Sequence, residues 1–100
     1  QKPTIPGVHS YFGFSFILQN ELAGRRNEVI ELFKQNSIEC RPIVAGNFMR
    51  NPVIDRLNHV CEDSYPVADE IHNNGFFLGN DNRNLADNLV DVKELLESLI

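Results

Sequence analysis

Tryptophan is absent from the 100 residues, and cysteine occurs only twice, at Cys40 and Cys61. Two isolated thiols rule out the disulfide framework that staples small secreted domains, and without a Cys-x-x-Cys pairing they make no thiolate zinc site. They imply a reducing compartment, the cytoplasm, and structural roles as buried or half-buried thiols. Cys40 stands beside Arg41, a neighbour that lowers a thiol's pKa, but nucleophilic use needs a base that the sequence does not place nearby. Histidine is nearly as scarce. His9, His59 and His72 share no helical ligand spacing, so no metal site is expected.

Basic residues are few as well: nine Lys and Arg stand against fourteen Asp and Glu, a net charge of −5. That balance disfavours nucleic acid as a partner and leaves no polybasic patch for a membrane surface. No apolar run approaches the roughly 20 residues that span a bilayer, and no signal peptide is visible. Gly-x-Gly-x-x-Gly, the Walker loop and Gly-x-Ser-x-Gly are all missing. Asn80, Asp81, Asn82 and Asn84 invite a calcium reading, but the glycine and terminal glutamate of an EF-hand loop are not there. The chain opens at Gln1 rather than Met, which reads as a piece cut from something longer.

What is present suffices for one domain with one modest core. Residues 1–10, with Pro3, Pro6 and Gly7, read as a linker or extended lead-in, and residues 11–100 as the domain. Tyr11 to Leu18 alternates with a period of two, which predicts a strand with Phe12, Phe14, Phe16 and Leu18 on its core face. Gln19 to Gly24 is a polar connection. Arg25 to Asn36 predicts a helix with Val29, Ile30 and Phe33 inward. A second strand beginning near Ile38 would complete a β-α-β-like unit, whose strands are expected to run parallel. Asn51-Pro52 marks a helix start, and Asn58 to Ser64 a loop. Pro66 to Asn74 predicts a short helix with Val67, Ala68 and Ile71 inward, and Gly75 as its C′ residue. His72, in the last turn, is explained by favourable contact between a protonated imidazole and the helix dipole. Phe76-Phe77-Leu78 predicts a strand buried on both faces. Asn84 is the expected N-cap of a last helix whose Leu85, Leu89, Val92, Leu96 and Leu99 form one stripe.

The chemistry concentrates between Ile38 and Phe48. Pro42 cannot donate to a sheet ladder, so it marks the place where the second strand ends or becomes an edge. Arg41 is then presented at the strand's end, with a planar fork suited to phosphate or carboxylate and small residues after it that allow close approach. The plainer alternative is a surface arginine paired with a neighbouring acid.

Arg41-Pro42-Ile43-Val44-Ala45-Gly46-Asn47-Phe48, followed by His72-Asn73-Asn74-Gly75-Phe76-Phe77-Leu78-Gly79-Asn80, resembles the C-terminal part of the pyridoxal-phosphate-dependent sugar-nucleotide 4-keto-6-deoxyhexose 3-dehydratases, a branch of the sugar-nucleotide aminotransferase family. The likeness runs from about Ser10 to the end. It implies an α+β fold, a small mixed sheet of about three strands covered by helices, as in the C-terminal small domain of a fold-type-I enzyme. It also implies a large domain, absent from this chain, that binds pyridoxal 5'-phosphate or pyridoxamine 5'-phosphate and carries the catalytic position, histidine in the dehydratases and lysine in the aminotransferases. No catalytic residue is therefore expected in this chain, and by itself it should be inactive.

The implied reaction removes the C3 hydroxyl of a nucleotide-linked 4-keto-6-deoxyhexose, on the way to the 3,6-dideoxy sugars of lipopolysaccharide O-antigens. The implied substrate-binding residues are Arg41, Asn47 and Phe48, with Phe77, Gly79 and Asn80 as a second group. Arg41 would meet an anion, either the substrate diphosphate or a carboxylate co-substrate. Gly75-Phe76-Phe77-Leu78-Gly79-Asn80 looks more like the GDP-sugar members than the CDP-sugar members. Enzymes of the family are homodimers. The alternatives are an aminotransferase of the same family and a non-catalytic α+β interaction module.

Overall fold

A computed structural model describes residues 7–100. Strand β1 covers Gly13–Ile17, helix α1 Arg26–Gln35, strand β2 Cys40–Pro42, helix α2 Pro66–Asn74, strand β3 Gly75–Gly79 and helix α3 Ala86–Glu97. Single 3-10 turns occupy Asn20–Leu22, Phe48–Arg50 and Pro52–Arg56. The expected α+β class with three strands is present. Of the expected lead-in, residues 7–10 carry no regular element, and residues 1–6 lie outside the described residues.

The three strands are ordered β1-β3-β2, and both pairings are antiparallel. The sheet is thus antiparallel rather than mixed. β1 and β2 do run in the same direction, but β3 separates them, so the expected β-α-β neighbours are not neighbours. Composition explains the order. Gly75-Phe76-Phe77-Leu78 is apolar on both faces and goes to the centre, where Phe76 lies opposite Phe16 on one side and Pro42 on the other. β2 ends at a residue with no N–H to donate, which suits an edge.

Phe76 is fully buried at the middle of the core. It stacks on Phe16 with ring centroids 5.2 Å apart and meets Phe33 edge-on at 5.8 Å. Val29, Ile30 and Phe33 deliver the apolar face of α1, and Leu18, Cys40, Leu78 and Val92 close the cluster. Each fully buried side chain of this size contributes about 1.5–3 kcal/mol relative to exposure. Phe14 and Phe16 pack against the cluster as the alternation requires, but Phe12 is 85% exposed because the strand begins after it. Leu22, inside the expected polar connection, is buried, carried inward by the 3-10 turn that starts with Asn20 at φ 51°. Arg25 ties the helices together, donating to Leu99 O at 2.7 Å while gripping Glu28 with both ends of its fork.

α2 starts at Pro66 and passes into β3 without a loop. Gly75 therefore takes an extended conformation, φ −85°, instead of the left-handed C′ conformation expected of it. Glycine is required there by crowding: a Cβ would stand 2.4 Å from Ile71 O and 2.8 Å from Ile43 Cγ1. Val67 faces solvent at 69% exposure, contrary to the expected face, while Ala68 and Ile71 are half-buried. Asn51 and Asn84 act close to where they are expected. Asn51 Oδ1 accepts from Val53 N at 3.0 Å, and the helix it opens is a 3-10 turn. Asn84 Oδ1 accepts from Ala86 N at 3.0 Å, with α3 beginning one residue later than expected. Among the described residues no helix is long and apolar enough to cross a membrane.

Candidate functional site

The end of the sheet and the first half of α3 enclose a cleft of about 520 Å³. Phe12, Phe14, Phe77, Leu89 and Val92 give it an apolar floor. Its rim is polar and comes from the segment around Arg41, from the end of β3 with the turn after it, and from Asn88 and Asp91 of α3. Arg41 sits in β2 opposite Phe77, Gly79 ends β3, and the turn after it supplies Asn80, Asp81 and Arg83.

Both rim arginines are paired locally. Arg41 Nη2 donates to Glu39 Oε1 at 2.7 Å, and Arg83 Nη2 donates to Asp81 Oδ2 at 2.5 Å. Those bonds from the Arg83 side chain and backbone hold the Asp81 carboxyl below its ordinary range. The side chains of Arg41 and Glu39 are 70% and 80% exposed, and exposed pairs of this kind contribute only about 0–1 kcal/mol. The plainer expectation for Arg41, an acid partner at the surface, is what the structure shows. Such a pair gives way readily to an anion that offers the fork two oxygens. Asn80 Nδ2 donates to Tyr11 O at 3.0 Å, which fixes the amide across the end of β1.

Cys40 lines the same cleft, but burial pushes its thiol upward, against the expectation that Arg41 would lower it. Desolvation is the largest effect; the cation that opposes it is Lys34, not Arg41, whose guanidinium is turned to Glu39, while Glu31 and Glu39 add to the rise. Cys61 is exposed rather than buried or half-buried. Among the described residues no group of three or more His, Cys, Asp or Glu is placed to hold a metal.

Four of the six sequence-derived site residues, Arg41, Phe77, Gly79 and Asn80, meet at this cleft. Asn47 and Phe48 do not line it. Asn47 is 7% exposed and its groups are spent on the fold. Its Nδ2 donates to Asp69 Oδ1 at 2.8 Å, and its Oδ1 accepts from Met49 N at 3.0 Å. Its N–H donates to His72 Nδ1 at 3.3 Å. His72 does lie in the last turn of α2, as expected, and that bond gives it a second role, as a clamp between α2 and the Gly46-Asn47 turn. Phe48 is half in solvent, at 48% exposure. Arg83 and Asp81 were not marked as rim residues by sequence reasoning; the only signal is their i, i+2 spacing in a turn rich in Asn.

No protein-family model matches the chain. It is 35% identical over 92 residues to the GDP-4-keto-6-deoxy-D-mannose 3-dehydratase of Escherichia coli O55:H7 (strain CB9615 / EPEC), covering 91% of this chain and 24% of that protein. The enzyme of the same name from Yersinia pseudotuberculosis is 32% identical over 92 residues, 91% of this chain and 23% of its own. Among solved structures, a doubly substituted ColD matches with a TM-score of 0.81 and 35% identity, over 96% of this chain and 25% of that one. The E. coli enzyme with bound hydrated PLP matches with a TM-score of 0.74 and 34% identity, over 84% of this chain and 22% of that one. A GDP-4-keto-6-deoxymannose-3-dehydratase (ColD) variant with bound GDP-perosamine matches with a TM-score of 0.74 and 33% identity, over 84% and 22%. The chain is homologous to part of these 3-dehydratases and spans about a quarter of the length of the curated relatives it matches.

Proposed function

We propose that this chain is the C-terminal small domain, residues 11–100, of a pyridoxal-phosphate-dependent GDP-4-keto-6-deoxyhexose 3-dehydratase, in which it contributes part of the substrate pocket. The observation that carries the reading is agreement at two levels: more than nine-tenths of the chain aligns with the dehydratases at 35% identity, and the same extent superposes on a ColD structure.

The chain's own residues do not fit the cofactor. The cleft holds no lysine for its aldehyde and no histidine. The described lysines, Lys34 and Lys93, lie on helix surfaces beside Glu31 and Glu97, at 2.7 Å and 3.6 Å. Cofactor binding and catalysis are assigned to the rest of the longer protein. The role left for this domain is binding: the apolar floor excludes water from one side of the substrate, and Arg41 exchanges Glu39 for an anion of the substrate or of a carboxylate co-substrate. Asn47 holds the Gly46-Asn47 turn in place instead of touching the sugar, and Phe48 is free to contact it. In the same reading the enzyme is a cytoplasmic homodimer serving dideoxysugar synthesis for lipopolysaccharide.

The full-length protein should gain visible absorbance on adding pyridoxal phosphate and, after borohydride reduction, show no covalent mass increase. It should consume GDP-4-keto-6-deoxy-D-mannose. Absence of cofactor absorbance removes the reading, and a cofactor-sized mass gain converts it to an aminotransferase. Arg41→Ala should raise the apparent KM for the GDP-sugar or the co-substrate about tenfold or more, the scale of a lost charge-assisted bond of about 1.5–3 kcal/mol. Unchanged kinetics would remove Arg41 from the pocket.

A further inference from the structure

A second cleft, of about 510 Å³, lies between the start of α1 and the end of α2 and shares no lining residue with the first. The chain carries a net charge of −5, yet no Asp or Glu lines this cleft, whereas Arg26, Arg50 and His72 do.

The hydrogen-bond directions there are unambiguous. Asn74 Oδ1 accepts from Gly24 N at 2.7 Å, Asn73 Oδ1 accepts from Arg50 Nη1 at 2.8 Å, and His72 Nδ1 accepts from Asn47 N at 3.3 Å. Backbone N–H and guanidinium groups only donate, so neither amide can be flipped and the imidazole tautomer is fixed. Each of the three side chains has its acceptor atom turned to a partner inside the fold. The opposite atom of each, Nδ2 of Asn73 and Asn74 and Nε2 of His72, is left as a donor with no hydrogen-bond partner among the described residues.

Arg26 adds the sharpest sign. Its Nη1 donates to His72 O and, at 3.3 Å, to Gly75 O, closing the end of α2. Its Nε is buried and has no partner among the described residues. Nε shares with Nη2 the side-on edge of the guanidinium, the edge that offers two parallel donors to one oxyanion. A buried unpaired donor of a charged group is costly, and capping the helix accounts for only the opposite edge of the fork. Asp69, 3.7 Å from Arg50 Nη1, already accepts from Asn47 Nδ2 and does not line the cleft.

We propose that this cleft binds a phosphate-class oxyanion, either free phosphate or the phosphate of a small monoester, held by Arg50 and by the His72, Asn73 and Asn74 donors, with the charge of the Arg26 guanidinium behind them. The site shares no residue with the Arg41 cleft, and only the blocking ligands of its test rest on the function proposed above.

Calorimetric titration of the intact protein, saturated with pyridoxal phosphate and GDP to fill other phosphate-binding positions, tests it with inorganic phosphate and, in parallel, glycerol phosphate at fixed ionic strength. Saturable uptake is expected, weakened at least tenfold by Arg50→Gln and by Asn73→Asp, with GDP affinity unchanged. Both residues are exposed, so the substitutions spare the core, and matched melting curves verify it. Tighter binding of glycerol phosphate identifies an ester as the ligand; tighter binding of inorganic phosphate identifies the free ion. No saturable uptake of either, or uptake that either substitution leaves unchanged, overturns the proposal.

Discussion

Adding one methyl group at Gly46 should unfasten the loop that carries Asn47 and Phe48. A Cβ built at Gly46 stands 2.4 Å from His72 Cα and 2.5 Å from His72 N. Both are backbone atoms in the middle of a helical turn, so neither can rotate away. Ordinary contact needs roughly 1 Å more, and the loop or α2 must move by about that much. Overpacking of this kind costs about 1–3 kcal/mol. The shift also stretches two bonds across the same seam, Asn47 N to His72 Nδ1 and Asn47 Nδ2 to Asp69 Oδ1, each contributing about 0.5–1.5 kcal/mol. The expected loss for Gly46→Ala is about 3 kcal/mol. In a domain of this size that lowers the melting temperature by about 12–24 °C, readable by far-ultraviolet circular dichroism. Gly79→Ala is the control, because a Cβ there meets nothing within 4 Å. It should leave stability unchanged or raise it by about 0.4–1 kcal/mol through the unfolded chain. If the two variants melt within 2 °C of each other, the close approach of the loop to α2 is absent and the argument fails.

Phe76→Ala should cost about 3–5 kcal/mol, since the ring is wholly buried between Phe16 and Phe33; denaturant melts returning under 1.5 kcal/mol would show that the core lies elsewhere. In native protein at pH 8, Cys61 should react with a thiol reagent at least tenfold faster than Cys40, because one is exposed and burial raises the pKa of the other. Equal rates, followed by mass spectrometry of labelled peptides, would contradict that. The Asp81 carboxyl is held low by Arg83, so its contribution to ordering the turn is fully present above the ordinary aspartate range and is lost as the pH falls through the depressed value. NMR titration should show Asp81 protonating at lower pH in the native protein than in an Arg83→Gln variant, and identical titrations would refute it.

The elements legible in the sequence were those whose signal is local. The leucine stripe of α3 and the Val29, Ile30, Phe33 face of α1 are written at helical spacing, and both helices form with those faces inward. The alternation from Gly13 to Ile17 became β1. Strand order was not legible, because pairing β3 between β1 and β2 is decided by residues that both precede it by more than thirty positions, and no local pattern encodes it. Val67 and Gly75 were misassigned for one reason: a helix that continues straight into a strand is turned by the strand's place in the sheet, which overrides its own moment and its C-terminal signal. At the candidate cleft, Pro42 and the family motif single out Arg41, which does line it. Asn47 was flagged by the same motif, but its bonds to Asp69, Met49 and His72 serve packing, and a motif cannot distinguish a residue kept for binding from one kept for shape.

The central place of β3 also dictates when the domain can form during synthesis. Strands β1 and β2 bond only to β3, so with both already made, neither has an edge to join until Gly75–Gly79 is available. Gly13 must then find Gly79 and Cys40 must find Leu78 across long stretches of chain, the kind of distant closure that slows folding. During that interval Phe14 and Phe16 have no Phe76 to stack on. A ribosome stalled before residue 75 should therefore hold helices and unpaired strands, the state in which a nascent chain draws chaperones, and folding should begin abruptly once the central strand clears the exit tunnel.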